Sequence, residues 1–201
     1  MIDISNVKPI TGRNQVNVAV EIPKGSICKY EYDNLGKELR VVRFLHKKWR
    51  YPFNYGCIPN TLEQDGDMLD AIVLCDEPLW PGTLITCTVY GAVETIDKGE
   101  IDNKIICIPT CLNVKRPTNR QLKKVLYYLK HYKYPDQATT QIGALVGYKK
   151  AMQFVENAAY NFERVNKRFS VYTPSVIVEP APVPQLTSVF EKPDRRKIRT
   201  N

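Results

Sequence analysis

No stretch of this 201-residue chain approaches the roughly 20 consecutive apolar residues that a membrane-spanning helix needs. Its opening, MIDISNVKP, lacks the basic start and apolar core of a secretory signal. The six cysteines include no CxxC pair and no Cys/His cluster, which excludes the common zinc-binding spacings. Cys75, Cys87 and Cys107 sit instead in apolar, strand-like runs and read as small core residues, and free thiols of that kind suit a reducing compartment. The expectation is a soluble, unexported, cytoplasmic protein. No internal repeat is present, and 43% hydrophobic content over this length is enough for one core, so a single domain is expected over 1–170. Beyond Ser170 the chain turns to Pro174, Pro180, Pro182, Pro184 and Pro193 and the basic run Arg195-Arg196-Lys197. Residues 171–201 therefore read as an extended or disordered tail.

Acids are missing from one segment altogether: Lys115 to Lys133 contains no Asp or Glu. With a formal charge of +8 the chain implies an anionic partner, which nucleic acid, a membrane surface or a small phosphate compound would each satisfy. Charge does not choose among them, and a basic helix face is also what a merely solvated one looks like.

Acids are dense, by contrast, in Tyr51 to Asp70, YPFNYGCIPNTLEQDGDMLD. Asp65, Asp67 and Asp70 repel one another unless fully solvated or facing cations. Oxygen-only ligands favour magnesium, calcium or manganese over zinc. The Gly and terminal Glu of a helix-loop-helix calcium loop are absent at the required offsets, which excludes that site. Gly66 lets the backbone turn between the first two acids, and Ala71 to Leu74 reads as a buried strand with the carboxylates at its entrance. Alone, Asp65-Gly66-Asp67 is equally an ordinary solvated turn.

The surroundings bear on that choice. Val16 to Ile22 alternates, with Val16, Val18, Val20 and Ile22 on one face and Glu21 on the other. Cys28 to Asp33 alternates again and puts Lys29, Glu31 and Asp33 on one side, while Leu39 to Phe44 carries Arg43 on an apolar face where it needs a partner. Singly, Glu21, Lys29, Glu31 and Arg43 read as cross-strand ion pairs on a wet face. Together, on successive strands just before the aspartates, they point to a shared polar cavity. Thr83 to Val93 and Ile105 to Ile108 are further strands, and the hairpin loop between them, Asp97 to Lys104, again sets acids around a glycine. Short strands at close spacing predict a small closed barrel. Helical spacing begins only at Thr118 or Asn119, with Leu122, Val125, Leu126 and Leu129 on one face, Tyr132 and Lys133 at the far end, and Pro135 marking the stop. A second helix follows Gly147, with Ala151, Phe154, Val155, Ala158 and Phe162 on its apolar stripe.

In VEIPKGS, KYEYD, RFLHKKWRYPFNYG, DGDMLD, the Asp97 to Lys104 loop, His131-Tyr132-Lys133 and the closing helix, in that order, the chain resembles the soluble family I inorganic pyrophosphatases over roughly Val16 to Phe169. The resemblance implies a mainly β (α+β) fold, a small five-stranded OB-type β-barrel flanked by two C-terminal helices. It implies metal-dependent hydrolysis of inorganic pyrophosphate to two phosphates, several Mg²⁺ ions with Mn²⁺ as a substitute, and a homo-oligomer, hexamer or dimer. Carried over by motif, Asp65, Asp70 and Asp102 hold a tight metal site, Asp97 helps with further metals, and Asp67 is the general base. Lys29, Arg43, Lys104, Tyr132 and Lys133 bind phosphate with Tyr55 nearby, and Glu21, Glu31 and Tyr51 support them. Met68 departs from the family's usual proline, Lys98 from a position often acidic, and Cys57 from one often aromatic. The competing reading is a nucleic-acid-binding barrel or a non-catalytic scaffold of the same fold. A groove holding Asp65, Asp67, Asp70, Asp97 and Asp102 repels bare phosphate, so nucleic acid is not expected as a partner, and no membrane partner is expected.

Overall fold

The computed structural model describes residues 2–33, 36–114, 116–133 and 140–172. The tail expected over 171–201 lies outside these residues from 173 onward, as does Pro135. Five strands form a ring: β2 (Gln15–Ile22), β5 (Asn54–Cys57), β6 (Asp70–Val73), β9 (Lys104–Pro109) and β7 (Leu84–Asp97). β2 pairs with β5, β5 with β6, β6 with β9, β9 with β7, and β7 returns to β2. Only the β6–β9 pairing is parallel. The closed five-stranded barrel expected from the sequence is thus present, with β1 (Ile10–Gly12) added at β2, β8 (Glu100–Ile101) and β10 (Gln141–Gly147) at β7, and β3 (Cys28–Tyr32) with β4 (Leu39–Phe44) as a separate hairpin.

Past their charged first residues, Asp70 and Lys104, the central strands β6 and β9 are apolar because both of their faces are covered. Ala71 and Val73 of β6, with Ile105 and Cys107 of β9, join a core cluster with α2 (Tyr148–Tyr172) through Ala151, Met152, Val155 and Ala158. Ile72 and Ile106 face the other way, into a cluster with α1 (Asn119–His131) through Leu122, Val125, Tyr128 and Leu129. Of the two capping residues that the sequence offered, Thr118 caps α1: its hydroxyl accepts from the Gln121 N–H at 3.2 Å, and the Gln121 side chain accepts from the Thr118 N–H at 2.8 Å.

Three differences from the sequence reading have local causes. β7 continues past Val93 to Asp97, because β8 and β10 pair with its polar end. Cys75 is half-buried at the rim of the core, unlike Cys87 and Cys107 within it. β5 carries a glycine in four residues, and the reason is a close approach: a Cβ on Gly56 would run into the carbonyl oxygen of Ala19 on β2. Gly56→Ala is accordingly expected to cost about 1–3 kcal/mol by forcing β2 and β5 apart. Urea unfolding at wild-type midpoint and slope would show that the strands have room to spare.

Candidate active site

The β3–β4 hairpin, the end of β5, the turn before β6, the β7–β9 connection and the end of α1 meet around a cavity of about 310 Å³. Among the described residues seven carboxylates line it, Glu21, Glu31, Asp65, Asp67, Asp70, Asp97 and Asp102, facing the cations Lys29, Arg43, Lys98, Lys104 and Lys133. Tyr55 and Tyr132 complete the wall. Every metal, base and phosphate candidate named from the sequence therefore stands in one place. Tyr51, named as supporting, does not line the cavity; it is buried behind it, with its ring 5.7 Å from Tyr55 and 6.3 Å from Tyr132 between centroids.

Strand register sets the centre. In the parallel β6–β9 pair Asp70 stands opposite Lys104, the first residue of each strand. The Lys104 ammonium, on a residue only 3% exposed, donates to Asp70 Oδ2 at 2.5 Å and also to Asp102, and the Tyr55 hydroxyl donates to the same Asp70 oxygen. Burial works against the charge on Lys104, but Asp70 and Asp102 outweigh it and raise its pKa. Burial and the neighbouring Asp70 push the Asp102 carboxyl up to about 6, with Lys104 opposing. The Tyr55 phenol is driven well above its ordinary range by burial and by Asp70.

The second group comes from the hairpin. An irregularity in the β3–β4 register leaves Val42 without a partner and places Arg43 opposite Lys29, so two cations stand side by side. Lys29 pairs with Glu31, whereas Arg43 Nε is buried with no hydrogen-bond partner among the described residues. Such an orphaned donor suits an anionic ligand. On the far wall Lys133 bonds Asp97 at 2.7 Å and Thr140 donates to it at 2.6 Å; burial raises the Asp97 carboxyl, but these two partners bring it below the usual range.

Asp67 lies on the turn before β6, exposed toward the cavity. Partial burial raises its carboxyl, and Asp65, Glu31 and Asp70 add to the shift. Its backbone is fixed on both sides: its N–H donates to Asp65 Oδ1 at 3.1 Å and its carbonyl accepts from the Glu63 N–H at 2.9 Å. Among the described residues no three Asp, Glu, His or Cys side chains close into a preformed metal cage, and the Lys104 ammonium stands between Asp70 and Asp102. The donors still fit a hard cation. They are oxygens alone, and Asp67 and Asp102 have proton affinities raised by burial and by neighbouring carboxylates, a repulsion that a divalent ion would relieve. Magnesium keeps several waters and needs only a few carboxylates.

Comparison with known proteins agrees with this geometry. A sequence model of the family described as Inorganic pyrophosphatase matches residues 18–163. An inorganic pyrophosphatase of Synechocystis is 32% identical over 168 residues, spanning 80% of this chain and 99% of that protein. One from Mycoplasma genitalium is 39% identical over 137 residues, 65% of this chain and 74% of its own length. The solved inorganic pyrophosphatase of Coxiella burnetii superposes with a TM-score of 0.70 at 29% identity, covering 78% of this chain and 99% of that one.

The chain belongs to the inorganic pyrophosphatase family. Its departures from the family pattern are absorbed locally. Met68, in place of proline, packs half-buried against the cluster of Ile4, Ala19, Tyr32 and Cys57, while the Glu63 N–H, donating to the Asp67 carbonyl, and the Asp65 side chain, accepting from the Asp67 N–H, hold the turn that proline would stiffen. Lys98 occupies a left-handed position, φ 51°, followed by Gly99 at φ 91°, as a tight β7–β8 hairpin demands. Cys57 is buried opposite Asp70, and burial together with Glu21 pushes its thiol well up.

Two groups escaped sequence reasoning. Glu63 accepts from the Asn103 backbone N–H at 2.8 Å and from its side chain at 3.3 Å, tying the aspartate turn to the loop of Asp102, and Thr140 fixes Asp97. No spacing signals partners that lie about 40 residues apart. Glu21 is a further surprise, 5% exposed and accepting from the Tyr32 N–H at 2.8 Å. Burial raises its carboxyl to about 8, with Asp70 and Glu31 adding to the shift. The folded chain thus keeps a proton that the unfolded chain releases near pH 4.5, so this group costs stability as pH climbs from there to about 8. In metal-free buffer Glu21→Gln is expected to melt at least about 3 °C above wild type near pH 9 and level with it near pH 4. Thermal melts of both proteins with the same gap at each pH would contradict that burial.

Proposed function

We propose that the chain hydrolyses inorganic pyrophosphate to two phosphates with the help of divalent cations, Mg²⁺ with Mn²⁺ as a substitute. The observation that supports this best is the meeting of seven carboxylates with the paired Lys29 and Arg43 in one cavity, where Arg43 Nε has no partner among the described residues. In this reading Asp65, Asp70 and Asp102 hold the tight metal site and Asp97 assists beside the substrate. The ions, when bound, neutralise charge on the phosphates and acidify water in the site.

The chain's own residues do the rest. Lys29, Arg43, Lys104 and Lys133 donate to phosphate oxygens, with Tyr132 and Tyr55 at the wall. They screen the negative charge that repels an incoming nucleophile, and they stabilise the leaving phosphate as its charge grows. Asp67, whose carboxylate has a raised proton affinity and sits on a braced turn, accepts the proton of the attacking water. Glu21 holds the Tyr32 backbone, Glu31 the Lys29 ammonium, and Tyr51 the rings of Tyr55 and Tyr132. The carboxylate wall disfavours the competing reading of the barrel groove as a polynucleotide site. Six free cysteines support a reducing cytoplasmic setting, and among the described residues no helix is long and apolar enough to cross a membrane. Phe44, 70% exposed beside the exposed Val41 and Val42, supports a homo-oligomer, dimer or hexamer, by offering a second copy an apolar surface. Phosphate release from pyrophosphate, measured with and without Mg²⁺, tests the proposal. Absence of release at any metal concentration would sink it.

A further inference from the structure

The chain's positive charge is concentrated in two segments; within them Lys133, just past the end of α1, lines the cavity, while the other cations lie outside its lining. The segments His46 to Arg50 and Arg116 to Lys133 hold nine of the 29 Lys and Arg residues and none of the 21 Asp and Glu, leaving 20 cationic against 21 anionic residues elsewhere. The structure joins these segments into one surface. The Trp49 ring lies 6.2 Å from His131, within 5° of parallel, and 6.3 Å from Tyr127, while Tyr127 and His131 are 4.4 Å apart. Lys48 sits 5.7 Å from the Trp49 ring, and Arg50 donates to the Gly25 carbonyl at 2.8 Å, anchoring the loop beside the helix.

α1 buries Leu122, Val125, Tyr128 and Leu129 and turns Arg120, Lys123, Lys124, Tyr127 and Lys130 outward. This face works against its own helix. Arg120 lies in a first turn without any acid, where the macrodipole disfavours a cation, and Arg120 and Lys124 are like charges four apart. Among the described residues, no carboxylate forms a salt bridge with any of the segments' cations except Lys133, which belongs to the cavity. The fold leaves these cations for something outside it to neutralise. In their midst Tyr127, 61% exposed, presents a ring backed by Trp49 and His131.

We propose that this face binds single-stranded polynucleotide, its phosphates following the cations of α1 and the 46–50 loop and its bases stacking on Tyr127. Interleaved basic and aromatic side chains are the chemistry of sequence-tolerant single-strand binding. The outward positions of α1 between Arg120 and Lys130 include no aliphatic residue, so the face lacks the apolar wedge of a membrane-surface helix. The carboxylate cavity still repels a bare polynucleotide; the proposed site is on the flank, and it does not depend on the hydrolytic reading.

Fluorescence anisotropy of a labelled single-stranded RNA of about 12 nucleotides, with the full chain, tests this. Affinity is expected to fall with salt at a log–log slope of about −0.7 per phosphate engaged, or roughly −3 for four contacts. The triple reversal K123E/K124E/K130E should weaken binding more than about tenfold and flatten the slope, while phosphate release from pyrophosphate stays at the wild-type rate. Tyr127→Ala should weaken binding by about five- to a hundredfold with the slope unchanged, which separates base stacking from charge. A second reversal, K47E/K48E, repeats the charge test on the loop without touching the helix. Each of the following outcomes overturns the proposal: no binding at low salt, wild-type affinity in both reversals, no loss in Tyr127→Ala, or anionic lipid vesicles held as well as RNA and with equal loss in every variant.

Discussion

Asp67→Asn is expected to lower turnover by roughly two to four orders of magnitude while leaving the fold and the affinity for divalent metal nearly unchanged. The amide matches the carboxylate in shape, and the bonds that hold the turn, from the Asp67 N–H to Asp65 and from the Glu63 N–H to the Asp67 carbonyl, involve the Asp67 backbone and survive the change. What is lost is a proton acceptor whose affinity is raised by partial burial and by Asp65. An asparagine cannot take a proton from water, so the loss should appear in kcat with KM for the metal–pyrophosphate complex little altered. Phosphate release and thermal melts on the same preparation separate the two effects. Turnover within a few-fold of wild type would remove Asp67 from the role of base.

Stripping divalent metal is the other large perturbation. Chelation should abolish hydrolysis, and restoring Mg²⁺ should return it together with a higher melting temperature. A cation bound only by the folded state stabilises it by mass action, about 2.7 kcal/mol at a hundred times its dissociation constant, which for a chain of this length is a rise of roughly 5–10 °C. The stabilisation should be traceable to the aspartates. In the metal-free chain Asp102 is pushed up to about 6 by burial and by Asp70, and a bound cation relieves that repulsion. Asp70→Asn should therefore lose most of the Mg²⁺-dependent rise in melting temperature as well as activity. Hydrolysis that persists in chelator, or a melting temperature indifferent to Mg²⁺ in the wild type, would overturn the metal assignment.

The sequence made β6 and β9 legible because the runs that follow Asp70 and Lys104 are apolar without a break, as strands covered on both faces must be. β5 was not legible. Its four residues include Asn54 and Gly56, and what makes them a strand is closure of the ring against β2 and β6, which no local pattern encodes. β10 escaped for the opposite reason: it is a largely exposed edge with Gly143 and Gly147 and shows no apolar alternation. For the site, the residues read singly left alternatives open. Glu21, Lys29, Glu31 and Arg43 together pointed to a shared polar cavity, but the roles of Asp65, Asp67 and Asp70 came from the family resemblance, and the Lys29–Arg43 pair needs the shifted β3–β4 register. Glu21 was expected on a shared polar cavity and does line it, but alternation does not show how deeply it is buried, because the Tyr32 backbone of the β3–β4 hairpin covers it. Glu63 and Thr140 act through partners distant in sequence, and only the folded chain brings them into contact.

The parallel pairing that sets Asp70 opposite Lys104 also has a kinetic meaning. The two residues are 34 positions apart, and the long antiparallel strand between them must cross the barrel before the pair can form. Contacts of that separation bear the full entropy of loop closure and come late on a folding pathway. A nascent or partly folded chain would already possess its hairpins and helices while having no site at all. The chain would therefore gain chemical competence only once these distant strands have paired, and an incompletely folded form would leave its substrate untouched.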